Sequence, residues 1–289
     1  MFSRIFAIIV NYRQPALTEE AVASLESRGG ECPVSVVVVD NGSADGSLER
    51  LRKSCSACTV LDAGGNLGFS GGNNVGIRYA LEHGAEYVLL LNNDAAVERG
   101  AVEALLAAAG PRTIAAPKIV FDSDPSRVWY GGGHVSRRRG GFYHDVDPAS
   151  AGSARDVDFA SGCCMLLPAE FFRESGLLDE RFFLYCEDAE LCLRATRAGY
   201  RIRYEPRAVV RHKVSASTGG ERSPMSVYYG TRNRLMILSQ YRFPLAAFAY
   251  VLATRLAKLL SFPLRPAERY VLPGIFDWLA GRTGLKEGL

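Results

Sequence analysis

The chain reads as an α/β protein: a Rossmann-like, mostly parallel central sheet flanked by helices, followed by a helical C-terminal extension that is both basic and apolar. Three observations carry this reading. Short Val/Ile/Leu runs alternate with amphipathic stretches along the first two hundred residues, the pattern of doubly wound sheets. The run Tyr87-Val-Leu-Leu-Leu91 is apolar without alternation, as a strand covered on both faces is, and it passes directly into Asn92, Asn93 and Asp94. Residues 223–289 hold nine Lys or Arg against three Asp or Glu, +6 against −3 for the remainder of a chain whose net charge is +3. A length of 289 residues with 48% hydrophobic content is enough for one large domain, 1–222, with the extension 223–289 appended.

Taken in order, residues 5–10 form the first expected strand and 16–27 a helix. Residues 34–39 form a second strand ending at Asp40, 47–53 a short helix, 59–61 a third strand and 73–83 a helix. Residues 87–91 are the strand that delivers Asp94, with a helix over 100–109 and a strand over 114–120 beyond it. Aromatics, three successive glycines and Arg137, Arg138 and Arg139 then break the pattern over 127–143, which reads as a hairpin or a mobile loop over a site. The arginines either meet phosphate or are simply solvated. Strand character returns over 158–167, Pro168 opens a short helix, and a helix over 187–198 is stopped by Gly199. Val209 and Val210 end a late strand at Arg211 and His212, and 213–223, rich in Ser, Thr and Gly, reads as a flexible loop. In the extension the apolar run 243–253 falls short of the ~20 residues that cross a bilayer. Followed by Arg255 and Lys258, it is either a helix in the headgroup layer of an anionic membrane or one packed on the domain or in a homodimer interface.

Seven cysteines, several in core-like runs, and a start too short for a secretory signal point to a reducing cytoplasm, with any membrane contact peripheral. Cys55 and Cys58 make a single C-x-x-C, without the second pair of a zinc ribbon or the context of a thioredoxin site. No nucleic-acid partner is expected.

Chemistry gathers at a few places. Asp94 stands where a buried parallel strand ends, the edge at which open α/β sheets bind ligands. A hard oxygen there suits Mg²⁺ or Mn²⁺ shared with a diphosphate, although Asn and Asp after a strand also serve turns and caps. Asp40, opening Asp40-Asn-Gly-Ser43, is either part of a plain turn or an acceptor for the imide N–H of uracil or thymine. The glycine-rich stretch 64–74, with Asn66, Gly68, Gly72 and Asn73, is expected to be a loop whose N–H groups approach phosphate ahead of a helix. A dinucleotide fingerprint would instead follow the first strand, where Asn11 to Gln14 stand, and no Walker motif occurs. Glu187 and Asp188 begin a helix, where acids complement the dipole or one of them faces a cleft as a general base. His212 is either a core or loop histidine or a second ligand beside Asp94.

In this order, the segments resemble the inverting family 2 glycosyltransferases of GT-A fold, in particular the bacterial rhamnosyltransferase-like branch that builds cell-surface polysaccharides. The matching stretches are Ile9-Val-Asn-Tyr12, Val39-Asp-Asn-Gly-Ser43, Asn66-Leu-Gly-Phe69 through Asn74, Leu89 to Asp94, Gly176 to Phe183 with Glu187 and Asp188, and His212. They cover about residues 5–215. The resemblance implies that Asp40 contacts the nucleotide base, that Asp94 is the final acid of a D-x-D-type element holding Mg²⁺ or Mn²⁺, with Asn92 where the first acid commonly lies, and that Asp188, beside Glu187, is the catalytic base. His212 matches a further metal ligand. Asn11, Asn66, Gly68, Gly72, Asn73 and Asn93 fall in the nucleotide-sugar site, and Arg232 with Asn233 matches an element after the core expected to position the diphosphate or the acceptor.

The activity implied is transfer of a sugar, rhamnose favoured, from a dTDP- or UDP-linked donor to a saccharide acceptor, a polyprenyl-diphosphate-linked one fitting the tail. A glycoside hydrolase would need two carboxylates flanking the scissile bond about 5–9.5 Å apart, whereas Glu187 and Asp188 are neighbours. A sugar-1-phosphate nucleotidyltransferase would carry a glycine-rich loop with a basic residue after the first strand. A catalytically silent glycan-recruiting module is the third reading.

Overall fold

The computed structural model describes residues 3–28, 32–147, 149–214, 223–260 and 265–289. Its first strand, β1 (Ile5–Asn11), is buried almost throughout, and α1 (Pro15–Arg28) starts at a proline whose fixed φ suits the first helical turn. There follow β2 (Val34–Asp40), α2 (Ser47–Ser54), β3 (Thr59–Asp62), α3 (Gly68–Glu82), β4 (Tyr87–Leu91), β5 (Ala95–Val97), α4 (Ala101–Ala108) and β6 (Thr113–Phe121). After β7 (Asp124–Tyr130), β8 (Gly133–Ser136) and β9 (Gly141–His144) form a separate hairpin. The chain continues through β10 (Arg155–Asp156), β11 (Cys164–Pro168), α5 (Ala169–Ser175), α6 (Glu187–Arg197) and β12 (Arg201–His212) to α7 (Pro224–Gln240), α8 (Leu245–Leu259) and α9 (Val271–Leu279).

The main sheet runs β10-β12-β6-β11-β4-β1-β2-β3, with β5 on β12 and β7 on β6. Strands β3, β2, β1 and β4 are parallel. β11 is antiparallel to both β4 and β6, and β12 is parallel to β6. The chain therefore winds from β1 outward to β3 and then crosses to β4 on the other side of β1. That reversal opens a crevice at the C-terminal ends of β1 and β4, where ligands bind in open α/β sheets. Asn11 sits opposite Asp40 in the β1–β2 register, so both polar termini emerge side by side at the crevice. Apolar burial behind it is continuous: Ile8, Ile9, Val38, Val39, Leu89 and Leu90 are all 1% exposed or less.

Most elements lie within two residues of their expected ends; three expectations need correction. The helix expected over 73–83 begins at Gly68, so Gly71, Gly72 and Asn73 are helical rather than loop residues. The reason is packing: a Cβ at Gly72 would meet Val10 Cγ1 at 2.8 Å and one at Gly76 would meet Ile8 Cγ2 at 2.5 Å, so glycines let this helix lie close on β1. The strand expected over 158–167 contracts to Cys164–Pro168. All three arginines of the triplet are exposed, as solvated residues are, but two of them also make contacts with the extension. Arg137 donates to the carbonyls of Tyr241 (3.3 Å) and Arg242 (3.2 Å) and stacks on Phe243, while Arg139 lies over the Tyr250 ring. Arg234 of α7 donates in return to the carbonyls of Gly140 and Arg139. The hairpin tip is thus tied to the extension, and a second apolar cluster built from Phe182, Leu235, Ile237, Leu238, Tyr241, Phe243 and Val251 closes the seam. Of the loop expected over 213–223, residues 215–222 lie outside the described residues, as do 261–264 in the tail.

Candidate active site

Asp40 leaves β2 only 2% exposed and is held by three donors: Asn11 Nδ2 (2.7 Å) and Ser43 Oγ (2.6 Å) on Oδ1, and the Ser43 N–H (3.1 Å) on Oδ2. Asn11 is oriented in turn by Thr18, whose hydroxyl donates to its Oδ1 at 2.9 Å. A carboxylate accepts about four hydrogen bonds, so one acceptor position remains on Oδ2. Asn11 therefore orients Asp40, and Thr18, on α1, is a supporting residue that carries no sequence signal.

The turn before α3 is committed to the protein itself. Asn66 Oδ1 accepts the Gly68 N–H (3.0 Å), Asn41 Oδ1 accepts the Leu67 N–H (3.0 Å) and Phe183 O accepts the Phe69 N–H (2.8 Å). Gly68 has φ 71° and a Cβ there would sit 2.2 Å from Phe183 O, so only glycine fits. Asn73 donates to Phe69 O one turn back in its own helix. Through Phe183 these contacts join α3 to the segment leading to α6.

Asp94 and His212 meet because backbone pairing brings them together. β12 pairs antiparallel with β5, His212 opposite Ala95, and the Lys213 N–H donates to Asp94 O at 2.9 Å. His212 Nε2 then lies 3.2 Å from Asp94 Oδ1, with both side chains buried. Asn93, also buried, donates to Thr18 Oγ1 at 3.5 Å, and it lines a hollow together with Asp94 and Lys213. The His212 Nδ1 and Asn92 Oδ1 atoms are buried without a hydrogen-bond partner. Among the described residues no three His, Cys, Asp or Glu side chains gather to hold a metal unaided. The donor set of carboxylate, amide oxygen and imidazole nevertheless fits a hard divalent cation that takes its remaining ligands from phosphate.

Asp188, in the first turn of α6, accepts the Gly162 N–H at 2.9 Å through Oδ2 and the Ala189 N–H at 2.7 Å through Oδ1. Gly162 comes this close because a Cβ on it would meet Asp188 Cβ at 3.3 Å. On the other side of the same dipeptide, Cys163 O accepts the Asn92 N–H at 2.8 Å. One short path, Asp188–Gly162–Cys163–Asn92, therefore joins the helix acid to the strand end that carries Asp94 and, across from it, His212. The Cys163 thiol is pushed well up, by burial first and then by the charges of Asp94 and Asp188. The neighbouring acid, Glu187, is a different case: burial first, and the Asp188 charge second, raise its carboxyl far above the usual range. Its Oε2 is buried without a hydrogen-bond partner, and this environment disfavours the anion.

An aromatic wall completes the crevice. Trp129 meets His212 edge-on at 4.7 Å and His144 at 4.5 Å, and His144 Nδ1–H donates to Trp129 O at 3.1 Å. Burial lowers the His144 pKa, opposed by the Asp188 charge. Sequence reasoning missed His144, since a lone histidine on a short hairpin strand carries no pattern. Arg232 is a correction. It is 1% exposed inside α7, donates to Asn233 Oδ1 (2.9 Å) and Tyr228 Oη (3.3 Å), and is covered by the rings of Tyr228 and Tyr229. It does not face the crevice.

Solved structures of like shape set the class. A mannosyltransferase from Pyrobaculum calidifontis, in complex with GDP-Man and Mn²⁺, superposes with a TM-score of 0.63 at 15% identity over 98% of this chain and 88% of that one. S. aureus TarS 1-349 in complex with UDP gives 0.58 at 17% identity over 91% and 75%. The fold is that of the GT-A glycosyltransferases. The model of glycosyl transferase family 2 matches residues 6–175, and the chain belongs to that family. Similar sequences include the low-salt glycan biosynthesis hexosyltransferase Agl10 of Haloferax volcanii, 29% identical over 99% of this chain and 94% of that one. An N-acetylglucosaminyl-diphospho-decaprenol L-rhamnosyltransferase of Mycobacterium tuberculosis is 32% identical over 76% and 78%. The dTDP-rhamnosyl transferase RfbF of Shigella flexneri is 25% identical over 98% and 98%. The chain is a nucleotide-sugar glycosyltransferase of glycan assembly, in the rhamnosyltransferase-like branch of its family.

Proposed function

We propose that the chain transfers a sugar, rhamnose by preference, from a dTDP- or UDP-linked donor to a hydroxyl of a polyprenyl-diphosphate-linked saccharide, with inversion and with the help of Mg²⁺ or Mn²⁺. The observation that carries the reading is the single path of hydrogen bonds that holds Asp188 beside the Asp94–His212 pair. Each Asp188 oxygen takes one backbone N–H and keeps acceptor capacity for the proton of an attacking hydroxyl. Attack from the Asp188 side, opposite the diphosphate, inverts the anomeric carbon. Asp40, fixed by Asn11 and Ser43, has one acceptor position for a base imide N–H, which uracil and thymine offer and cytosine and adenine lack. Asp94 and His212, with Asn92 beside them, would hold the cation, which when bound neutralises charge developing on the diphosphate.

The names of the Mycobacterium and Shigella relatives support a dTDP-rhamnose donor and a polyprenyl-linked acceptor. The extension supports an acceptor at a membrane surface. Among the described residues no helix is long and apolar enough to cross a membrane, but Leu260, Leu272, Phe276 and Leu279 are 88, 41, 64 and 66% exposed. Lys258, Arg269 and Arg282 are exposed on the same helices and turns, a chemistry that fits anionic headgroups. A cytoplasmic protein held peripherally on the membrane follows, with 223–289 acting as the seat on the lipid.

The test is a panel of nucleotide sugars with Mn²⁺, read as slow release of nucleoside diphosphate. dTDP-rhamnose is expected to turn over fastest, and EDTA to stop it. Release of nucleoside diphosphate from no dTDP- or UDP-sugar, with no cation-dependent melting shift, would leave the glycan-recruiting module as the better account.

A further inference from the structure

Helix α6, which carries Asp188 at its second position, has an unusual start. The two residues before it, Tyr185 and Cys186, have φ of 67° and 71°, although neither is glycine, and no side chain caps the helix. Backbone in this region is held only where its surroundings over-determine it. The holding group comes from α7. Asn233, fully buried, donates both hydrogens of its side-chain amide, to Leu184 O at 2.9 Å and to Tyr185 O at 2.8 Å. Its own oxygen accepts Arg232 Nε at 2.9 Å, which fixes which way the amide faces. Arg232 is anchored by Tyr228 Oη, by the rings of Tyr228 and Tyr229 and by Arg181 O at 3.4 Å, and Tyr228 Oη donates to Asp277 Oδ2 of α9 at 2.6 Å.

We propose that Asn233 is a positioning residue for the reaction: its amide clamps the left-handed turn at Tyr185 and Cys186 and so sets the direction in which Asp188 leaves α6. This rests on the reading of Asp188 as the base. The side chain of Asn233 touches neither crevice nor substrate; it acts three residues upstream of Asp188, through the backbone. Without it the part-buried carbonyls of Leu184 and Tyr185 each lose the hydrogen bond from this amide, and the turn loses a contact that favours its conformation. Rotation there carries Asp188 away from the Gly162 N–H, and displacement of a reacting group by about an ångström is enough for a loss near a hundredfold. The extension is then part of the catalytic apparatus, connecting α9 to the base through Asp277, Tyr228, Arg232 and Asn233.

The experiment compares full-length Asn233→Ala, Asp188→Asn and Ile237→Ala, the last a buried residue of α7 outside the clamp, using the nucleotide sugar that turns over fastest in a dTDP/UDP panel with Mn²⁺. Asn233→Ala is expected to lower kcat about ten- to hundredfold with the donor KM within about twofold, while Ile237→Ala lowers the melting temperature at unchanged kcat. If Asn233→Ala does not fold, Asn233→Ser, which keeps one donor, is expected to lose about three- to tenfold in kcat at unchanged KM. Wild-type kcat in the asparagine variants, alongside a collapse in Asp188→Asn, overturns the clamp alone. Wild-type kcat in Asp188→Asn overturns the base reading and the clamp with it. A fall in kcat for Ile237→Ala equal to that for Asn233→Ala reduces the effect to general destabilisation and overturns the clamp.

Discussion

His212 Nε2 lies 3.2 Å from Asp94 Oδ1, and the contact is made by side chains only 7 and 5% exposed. Residues 118 positions apart in the chain are placed by one antiparallel pairing, β12 on β5. A pair so desolvated, with the other imidazole nitrogen buried and unpartnered, is an incomplete polar cluster that a cation and a diphosphate would complete.

That incompleteness predicts a cation-linked stability. UDP or dTDP with Mn²⁺ at about a hundred times the dissociation constant stabilises a folded protein by ~2.7 kcal/mol, a shift of several degrees in a chain of this size. The shift is expected to vanish with EDTA and in Asp94→Ala, measured by thermal melting. An equal shift in Asp94→Ala removes that residue from the cation site.

Asp188→Asn keeps the shape that accepts the Gly162 N–H but cannot take a proton. Turnover is expected to fall by at least ~10²-fold with the nucleotide-induced melting shift intact. Near-normal turnover would take Asp188 out of the role.

Glu187 is expected to behave oppositely. Its carboxyl titrates far above an unfolded value near 4.5, because burial and the Asp188 charge disfavour the anion. The unfolded chain releases that proton first, so the group costs nothing below pH 4.5 and an increasing amount as pH rises toward the folded pKa. Glu187→Gln, already matching the neutral form, is expected to keep kcat within about threefold and to gain stability relative to wild type at pH 7–8 but not at pH 4. Urea titrations at the two pH values check the sign.

Asp277 anchors the extension with the opposite sign. Against the desolvation of burial, hydrogen bonds from Lys286, Tyr228 and Arg282 hold its carboxyl at about 2, below its ordinary 3.8. Its contribution is fully present above pH 3.8 and is lost as pH falls through about 2. Acid melting between these values is expected to be shallower in Asp277→Asn, which should itself be less stable by about 1.5–3 kcal/mol at pH 7.

What the sequence made legible follows from range. The strands 5–10, 34–39 and 87–91 and the polar residues at their ends, Asn11, Asp40 and Asn92 to Asp94, are local patterns, because a buried parallel strand is a run of apolar residues and its end is the first polar one. Helix α3 was misplaced at its start because glycines that break a helix in isolation here buy close packing on Val10 and Ile8, a tertiary effect. Gly162, Thr18, His144 and the Asn233 amide serve through hydrogen bonds and ring contacts to residues 7 to 49 positions away, and no periodicity encodes such partners. Arg232 illustrates the converse: a cation expected to position a diphosphate is engaged within its own helix and by Arg181 O.

The last prediction concerns the lipid. Leu272, Phe276 and Leu279 project from α9, spaced by one helical turn or nearly so, and are exposed. Burying about three large apolar side chains in a headgroup layer yields ~1.5–3 kcal/mol each at most, a weak anchor by itself, and each nearby Lys or Arg adds about 1 kcal/mol on an anionic surface. The two contributions together predict binding to vesicles containing phosphatidylglycerol or cardiolipin, and little to neutral phosphatidylcholine. Phe276→Glu combined with Leu279→Glu should abolish flotation with anionic vesicles while leaving hydrolysis of a soluble nucleotide sugar unchanged, since neither residue touches the crevice. Should the double variant float as well as wild type, this face is not the lipid anchor; should it instead shift a dimer to monomer in sedimentation, the face belongs to a second copy of the chain.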